Sequence, residues 1–151
     1  MSNQLDLYQQ VILEHNRKPR NFKKLDPCTH SAEGLNPLCG DHLYIYLNIN
    51  NEEKIESVSF EGSGCAISKA SASMMTTALV GKSCEEADVL FNQFKKLLHG
   101  EIDPQTEDNV LGKLKIFSGI WQYPARVKCA ALAWHAMNNA LNQNTETAKT
   151  E

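Results

Sequence analysis

Hydrophobic and polar residues alternate most regularly in the middle of the chain, over the stretch 42–50. Its apolar residues at alternate positions are Leu43, Ile45, Leu47 and Ile49. Residues at every second position share one face of a β-strand, so this stretch is predicted to be a strand with one buried face. The stretch 55–62 repeats the pattern, with Val58 and Phe60 two positions apart. The polar residues between the two stretches predict a turn, so together they predict a β-hairpin.

Helical signals dominate the rest of the chain. Apolar residues three and four positions apart, a capping box at Ser83 and Glu86, and Pro124 as a residue suited to a first helical turn are typical of helices. The predicted helices are 5–16, 65–80, 83–99, 110–117 and 124–141. The segment between the first helix and the hairpin runs through Cys28 and Gly34 and is predicted to be a loop or an irregular strand.

The order of these elements is one helix, a small antiparallel sheet and then several helices. This order predicts an α+β fold in which the helices pack on one face of the sheet. The chain has 151 residues, a length that suits one domain with a core of ordinary size. We therefore expect a single domain over residues 1–141 and a polar, disordered tail over residues 142–151.

The net charge and the cysteine content reduce the number of function classes that suit this chain. The chain carries 15 basic and 18 acidic residues, a formal net charge of −3, and has no Lys/Arg-rich run, so no nucleic-acid partner is predicted. No apolar run approaches the roughly 20 residues that cross a bilayer, and the N-terminus has no signal-peptide layout, so we expect a cytoplasmic protein with no membrane partner.

Cytoplasmic thiols are reduced, and patterned cysteines there indicate metal binding or sulfur chemistry. The five cysteines are Cys28, Cys39, Cys65, Cys84 and Cys129.

Candidate metal ligands stand at the ends of predicted elements. The motif NPLCGD places Cys39 and Asp41 on either side of a flexible glycine, directly before a predicted strand. Cys65 opens a predicted helix, where the helix dipole favours a thiolate, and Cys129 lies in the first turns of the last predicted helix. Three thiolates and one carboxylate suit a tetrahedral zinc site, and the same set could hold an iron–sulfur cluster. A carboxylate is a harder ligand than a thiolate, so the Asp41 corner is expected to be exchangeable.

Spacing alone does not select which three of the five cysteines converge. A buried free cysteine often serves only as a small apolar residue, and this interpretation is preferred for Cys28 and Cys84. His42 is predicted to point to the sheet face opposite Asp41. His135 is predicted to lie on the wrong side of the last helix, so neither histidine is expected to share the ligand set.

Three motifs resemble those of the IscU/NifU-like family of iron–sulfur cluster assembly proteins. These motifs are NPLCGD, FEGSGCAIS and ARVKCAALAWHA. The opening LYQQVILEHNRKPRNF resembles the family's N-terminal helix, and the likeness extends over about residues 5–141. The resemblance implies a small α+β domain with a three-stranded sheet. It also implies that four side chains converge on one metal or cluster, namely Cys39, Asp41, Cys65 and Cys129.

Within this family the chain resembles the SufU type more than the IscU type. The IscU type has a histidine before the third cysteine and an LPPVK motif just upstream, where this chain has Lys128 and QYPAR. The segment 81–123 is also longer than the IscU type carries. The SufU type implies a bound zinc ion and a role as sulfur acceptor for a SufS-like cysteine desulfurase, which uses pyridoxal phosphate.

The SufU type also implies how sulfur is received. The desulfurase lends a histidine that displaces Cys39 from zinc, and the freed thiolate takes the persulfide sulfur, which makes the protein a zinc-dependent sulfurtransferase. Thiolate attack of this kind is the elementary step of thiol–disulfide exchange. Loop placement gives Cys39 more freedom than Cys65, so Cys39 is the expected acceptor. Arg126 is expected to contact the desulfurase or the persulfide, with simple solvation as the alternative.

Two other functions stay open at this point. In the first, a [2Fe–2S] cluster is assembled on the same four residues and passed to apo-proteins. The chain is then a scaffold rather than an enzyme, and its partners include downstream assembly components. In the second, the chain is a non-catalytic adaptor that zinc stabilises, which predicts metal-dependent folding without sulfur transfer.

Overall fold

The computed structural model describes residues 3–150 as four α-helices, two 3₁₀ helices and four β-strands. In chain order these are α1 (Asn3–Arg17), β1 (His30–Asn36), β2 (Asp41–Ile49), β3 (Ile55–Ser63), α2 (Ala66–Leu79), α3 (Cys84–Leu98), the 3₁₀ helices Gly112–Phe117 and Ile120–Gln122, α4 (Pro124–Leu141) and β4 (Ala148–Lys149). The predicted capping box is confirmed, because Ser83 and Glu86 each accept a hydrogen bond from the other's backbone N–H at the start of α3. The helix predicted at 110–117 forms as a short 3₁₀ helix.

The strands form one mixed sheet in the order β3-β2-β1-β4. Strand β2 pairs antiparallel with both β1 and β3, which confirms the predicted hairpin, and β4 runs parallel to β1. Helix α4 packs on β1 and β2, and α2 packs on β3. The α+β class is therefore confirmed. The expected three-stranded antiparallel sheet is wrong in one respect, because the sheet has a fourth, parallel strand.

Strand β1 was ambiguous in the sequence because its inward face carries no large apolar side chain, only Ala32, Gly34 and Asn36. At Gly34, an added Cβ would lie 3.1 Å from the Leu132 side chain and 3.3 Å from the Cβ of Ala136, both in α4. The missing side chain therefore lets α4 lie directly on the strand. A strand that buries glycine rather than leucine or valine carries no hydrophobic alternation, although one of its faces is covered.

The polar tail expected to be disordered instead returns to the sheet. Ala148 pairs with Gly34 and is only 6% exposed, and the Thr150 N–H donates to the Leu35 carbonyl at 3.2 Å. A strand of two residues is too short for any periodicity to be visible in the sequence. Residue 151 of the predicted tail and residues 1–2 of the predicted domain lie outside the described residues.

The core lies between the sheet and the helices. The inward side chains of β2, which are Leu43, Ile45 and Leu47, are fully buried. Trp134 of α4 packs against Phe94 of α3, with their ring centroids 4.6 Å apart. Within residues 3–150, the helices are too short or too polar to cross a membrane.

The close contact at Gly34 predicts a large effect of a side chain there. Gly34→Val should lower the free energy of unfolding by about 1–3 kcal/mol, because the valine would overpack the interface with α4. Urea denaturation measures this change. Ser31→Val places the same residue at an exposed position of the same strand and should change stability little. Equal stability of the two variants would contradict the packing described here.

Candidate metal centre

The turn between β1 and β2 brings a thiol beside a buried carboxylate. Asn36 and Asp41 pair across the two strands, and the Cys39 N–H donates to the Asn36 carbonyl at 3.3 Å within the turn. Gly40 has φ +72°, a left-handed backbone conformation that residues other than glycine rarely adopt. Cys39 is exposed and Asp41 is 0% exposed, so the turn presents one ligand to solvent and holds the other inside.

Helix α4 supplies the third member of the group. The Cys39 and Cys129 sulfurs are 3.6 Å apart, and the ligand atoms of Cys39, Asp41 and Cys129 all lie within 4.8 Å of one another. Two sulfurs bound to one tetrahedral zinc ion lie about 3.8 Å apart, given Zn–S bonds of ~2.3 Å. The spacing and the chemistry of this donor set therefore fit a zinc ion.

Both oxygens of the Asp41 carboxylate are held by hydrogen bonds. Oδ1 accepts from the backbone N–H of Cys65 at 2.8 Å, and Oδ2 accepts from Asn36 Nδ2 at 3.3 Å. A Cβ at Gly64 would lie 2.7 Å from Asp41 Oδ1, so glycine at this position permits the close approach. A buried carboxylate is tolerated when its oxygens are paired in this way. The hydrogen bonds also fix the direction in which the carboxylate points.

Cys65 lies beside this group at the N-cap of α2. Its Sγ accepts a hydrogen bond from the Ser68 N–H at 3.5 Å and lies 3.4 Å from Ser68 Oγ. A hydrogen bond from the Cys129 thiol is the largest influence on Cys65 and, with the Ser68 contacts, lowers the pKa of Cys65 to about 6 against the opposing effect of burial. The same hydrogen bond, followed by burial, raises the pKa of Cys129. The N-cap position and the Ser68 N–H therefore favour the anionic form of Cys65.

The structure thus brings the four predicted ligands to one end of the molecule. Cys39, Asp41 and Cys129 form a compact group, and Cys65 adjoins it through its backbone N–H, which donates to Asp41 Oδ1. The assignment of all four as ligands of a bound metal stays a prediction. Arg126 is exposed in the first turn of α4, with its guanidinium 4.6 Å from the centroid of the Tyr123 ring.

The other cysteines and the two histidines lie elsewhere. Cys28 is half-buried in the loop before β1, and the Cys84 N–H donates to the Glu53 carbonyl at the start of α3. The His42 ring hydrogen-bonds the Glu33 carboxylate. His135 makes an edge-on contact with the Phe91 ring, with centroids 5.5 Å apart.

Sequence reasoning missed Asn36, the first residue of NPLCGD. Its side chain is fully buried, and its Nδ2 faces both Asp41 Oδ2 and Cys129 Sγ, the latter at 3.7 Å. One amide therefore holds two predicted ligands. The signal that could have found it is the hairpin register, because a tight turn over NPLCGD places Asn36 opposite Asp41.

This role predicts weaker metal binding when the amide is removed. Asn36→Ala should lower the zinc affinity of the protein about 10- to 100-fold, as loss of a group that orients metal ligands typically does. Competition with a chromophoric zinc chelator measures the affinity. Asn48→Ala, near the opposite end of β2, should bind zinc like the wild type. An Asn36→Ala protein with wild-type affinity would show that the amide does not position the ligands.

Comparison with known proteins places the chain in a family. Residues 7–130 match the model of the NifU-like N-terminal domain. The chain is 37% identical over 138 residues to an iron–sulfur cluster assembly scaffold protein IscU of Streptococcus pyogenes, covering 91% of this chain and 84% of that protein. It is also 37% identical over 136 residues to the zinc-dependent sulfurtransferase SufU of Bacillus subtilis, covering 89% of each.

A solved structure supports the same placement. A crystal structure described as an iron–sulfur cluster assembly scaffold protein for the SUF system, from Fervidobacterium islandicum, superimposes with a TM-score of 0.81 at 32% identity. The superposition covers 87% of this chain and 94% of that one. The resemblance noted in the three cysteine motifs is thereby confirmed over most of the chain, which belongs to the NifU-like N-terminal domain family that includes IscU and SufU.

Proposed function

We propose that this chain is a zinc-dependent sulfur carrier in iron–sulfur cluster assembly, and that Cys39 accepts sulfur from a SufS-like, pyridoxal-phosphate-dependent cysteine desulfurase. One observation carries the proposal. Cys39 is the exposed member of a group whose other two members, Asp41 and Cys129, are 0% and 4% exposed. A partner enzyme can therefore reach Cys39 without disturbing the buried ligands.

The proposed zinc ligands are Cys39, Asp41, Cys65 and Cys129. A bound zinc ion would supply Lewis acidity, which keeps the coordinating thiols deprotonated near neutral pH. The protein's own residues hold the ligands in position. Asn36 and the Cys65 N–H hold Asp41 in place, and α2 and α4 hold the two helical cysteines. Only Cys39 sits in a turn, where a small backbone movement can present its sulfur to a partner.

The transfer step needs no external oxidant or reductant. The Cys39 thiolate attacks the outer sulfur of the desulfurase persulfide and forms a new S–S bond. The original S–S bond breaks, and its electron pair leaves with the enzyme's cysteine as a thiolate. The outer sulfur carries its proton with it, so the products are a Cys39 persulfide and a regenerated enzyme thiolate.

A cation in the first turn of α4, three residues before Cys129, would suit an anionic sulfur species. Arg126 is exposed and holds its guanidinium over the Tyr123 ring, which leaves the cation available at the surface near the start of α4. We propose that Arg126 contacts the desulfurase or the persulfide. The B. subtilis relative named a zinc-dependent sulfurtransferase and the Lys128 that precedes Cys129 support the carrier role over the scaffold role.

A scaffold for a [2Fe–2S] cluster is the second candidate function, and the chain would then not be an enzyme. It is supported by relatives named IscU from S. pyogenes and Thermotoga maritima, which are 37% and 36% identical to this chain. The same four residues would hold the cluster as cargo. A scaffold would acquire a visible absorption spectrum when iron, cysteine and the desulfurase are supplied, whereas a carrier would acquire a persulfide without iron.

Replacement of the proposed acceptor tests the carrier role. Cys39→Ser should abolish persulfide formation, because serine cannot accept sulfur in this way. The zinc-loaded protein is incubated with a SufS-type desulfurase and cysteine, and mass spectrometry then locates the added sulfur atom. Cys84→Ser, which changes a cysteine remote from the group, should still acquire persulfide at Cys39. Persulfide formation on the Cys39→Ser protein at the wild-type rate would refute the assignment.

A further inference from the structure

A cavity of about 400 Å³ lies where the end of α1, the C-terminal half of α2, helix α3 and the 3₁₀ helix Gly112–Phe117 meet. None of the residues that line it belongs to the candidate metal centre. Met74, where the cavity begins along α2, is nine residues beyond Cys65, which is about 13 Å of helix. The cavity has the size of a site for a small organic molecule, since such sites typically enclose ~300–1,000 Å³.

The floor of the cavity is apolar. It is formed by side chains of the core that are each at most 3% exposed, namely Met74, Leu90, Leu111 and Leu114. Val110 lines the cavity as well and is 56% exposed, so apolar surface continues to solvent. Burial of an apolar body against this floor would remove apolar area of both from water, which is favourable.

The charged side chains that line the cavity are all basic. They are His15, which can be protonated, and Arg20, Lys82 and Lys113. Among the described residues, no acidic side chain lines the cavity. Arg20 is paired with Glu14, which lies outside the lining, whereas no carboxylate of the described chain forms an ion pair with Lys82 or Lys113. The basic side chains therefore converge without acidic partners for all of them.

His15 adds a hydrogen-bond donor to these cations. Its Nδ1 lies 2.7 Å from Ser73 Oγ, and the Arg20 N–H donates to the same oxygen at 2.7 Å. Because Ser73 is 0% exposed, its hydroxyl hydrogen needs an acceptor, and Nδ1 is the acceptor that the described residues offer. The proton of the neutral ring is then on Nε2. Burial, followed by the Arg20 charge, lowers the pKa of His15, Glu14 opposes this, and Lys113 adds to it.

We propose that this cavity binds a small organic anion with an apolar body. The anionic group would be held by Arg20, Lys82 and Lys113 and would accept from His15 Nε2, while the body covers the apolar floor. Like charges that converge repel one another, and an anion between them relieves that repulsion. The apolar floor favours an anion with a hydrocarbon or aromatic body over an inorganic one. This inference needs no metal at the candidate centre and is independent of the proposed sulfur transfer.

Fluorescence titration with anilinonaphthalene sulfonate, an aromatic anion, tests the site on the full chain. The wild-type protein should bind one molecule of this probe, with zinc present or absent. Octanoate should displace the probe, whereas octylamine, which carries a positive charge on the same hydrocarbon chain, should not. Inorganic phosphate should need a concentration at least about 10-fold higher than octanoate, because it gains nothing from the apolar floor.

Two charge reversals in one 3₁₀ helix provide the matched comparison. Lys113→Glu should weaken probe binding about 10-fold or more, because it places a negative charge beside the bound anion. Lys115→Glu makes the same change in net charge at an exposed position that does not line the cavity, and it should bind the probe like the wild type. Both lysines are exposed, so equal melting temperatures are expected.

Methyl NMR locates the bound anion. Addition of octanoate to the wild-type protein should shift the methyl signal of Met74, in the floor, and leave that of Met137, which is buried in the core and does not line the cavity. Selective loss of binding in Lys113→Glu together with this shift would support the inference. Absence of probe binding by the wild type, equal weakening by both charge reversals, displacement by phosphate as effective as by octanoate, or an unmoved Met74 signal would each overturn it.

Discussion

The buried carboxylate of Asp41 is the constraint on which the rest of the centre depends. Its oxygens accept hydrogen bonds from the Cys65 N–H and the Asn36 amide, so one side chain joins the end of β1, the start of β2 and the N-terminus of α2. An ionised carboxylate without such partners would be expensive to bury. Because these partners come from separate elements, the geometry of the centre is fixed by the fold and not by the turn alone.

Two glycines make this convergence possible by leaving space. Gly64 admits the Asp41 carboxylate, and Gly34 admits α4, whose Leu132 lies 3.1 Å from the position that a Cβ would take. The contact at Gly34 sets α4 on β1 and thereby brings Cys129 within 3.7 Å of Asn36. The packing of the core and the chemistry of the centre are thus two consequences of the same close approach. Cys39, in the turn, is the member that this packing leaves exposed.

The sequence predicted strongly periodic elements well and weakly patterned ones poorly. The last helix was predicted at its observed bounds, 124–141, because a proline marks its start and a long run without breakers follows. Strand β1 was ambiguous because it buries Gly34, and β4 was missed because two residues show no period. Spacing did not reveal which cysteines converge; the motifs of a known family did. Hairpin register could have placed Asn36 opposite Asp41, but the contact of Asn36 with Cys129 joins segments 93 residues apart, which no local pattern encodes.

The central claim is that a metal-organised centre makes Cys39 a sulfur acceptor. Turnover of a SufS-type desulfurase, followed as alanine formed from cysteine in the presence of a reductant, tests it most directly when zinc-loaded and metal-free protein are compared. We predict that the zinc-loaded protein raises alanine formation strongly and the metal-free protein does not. An unchanged rate with both forms would contradict the carrier function and make cluster scaffolding on the same four residues the better account.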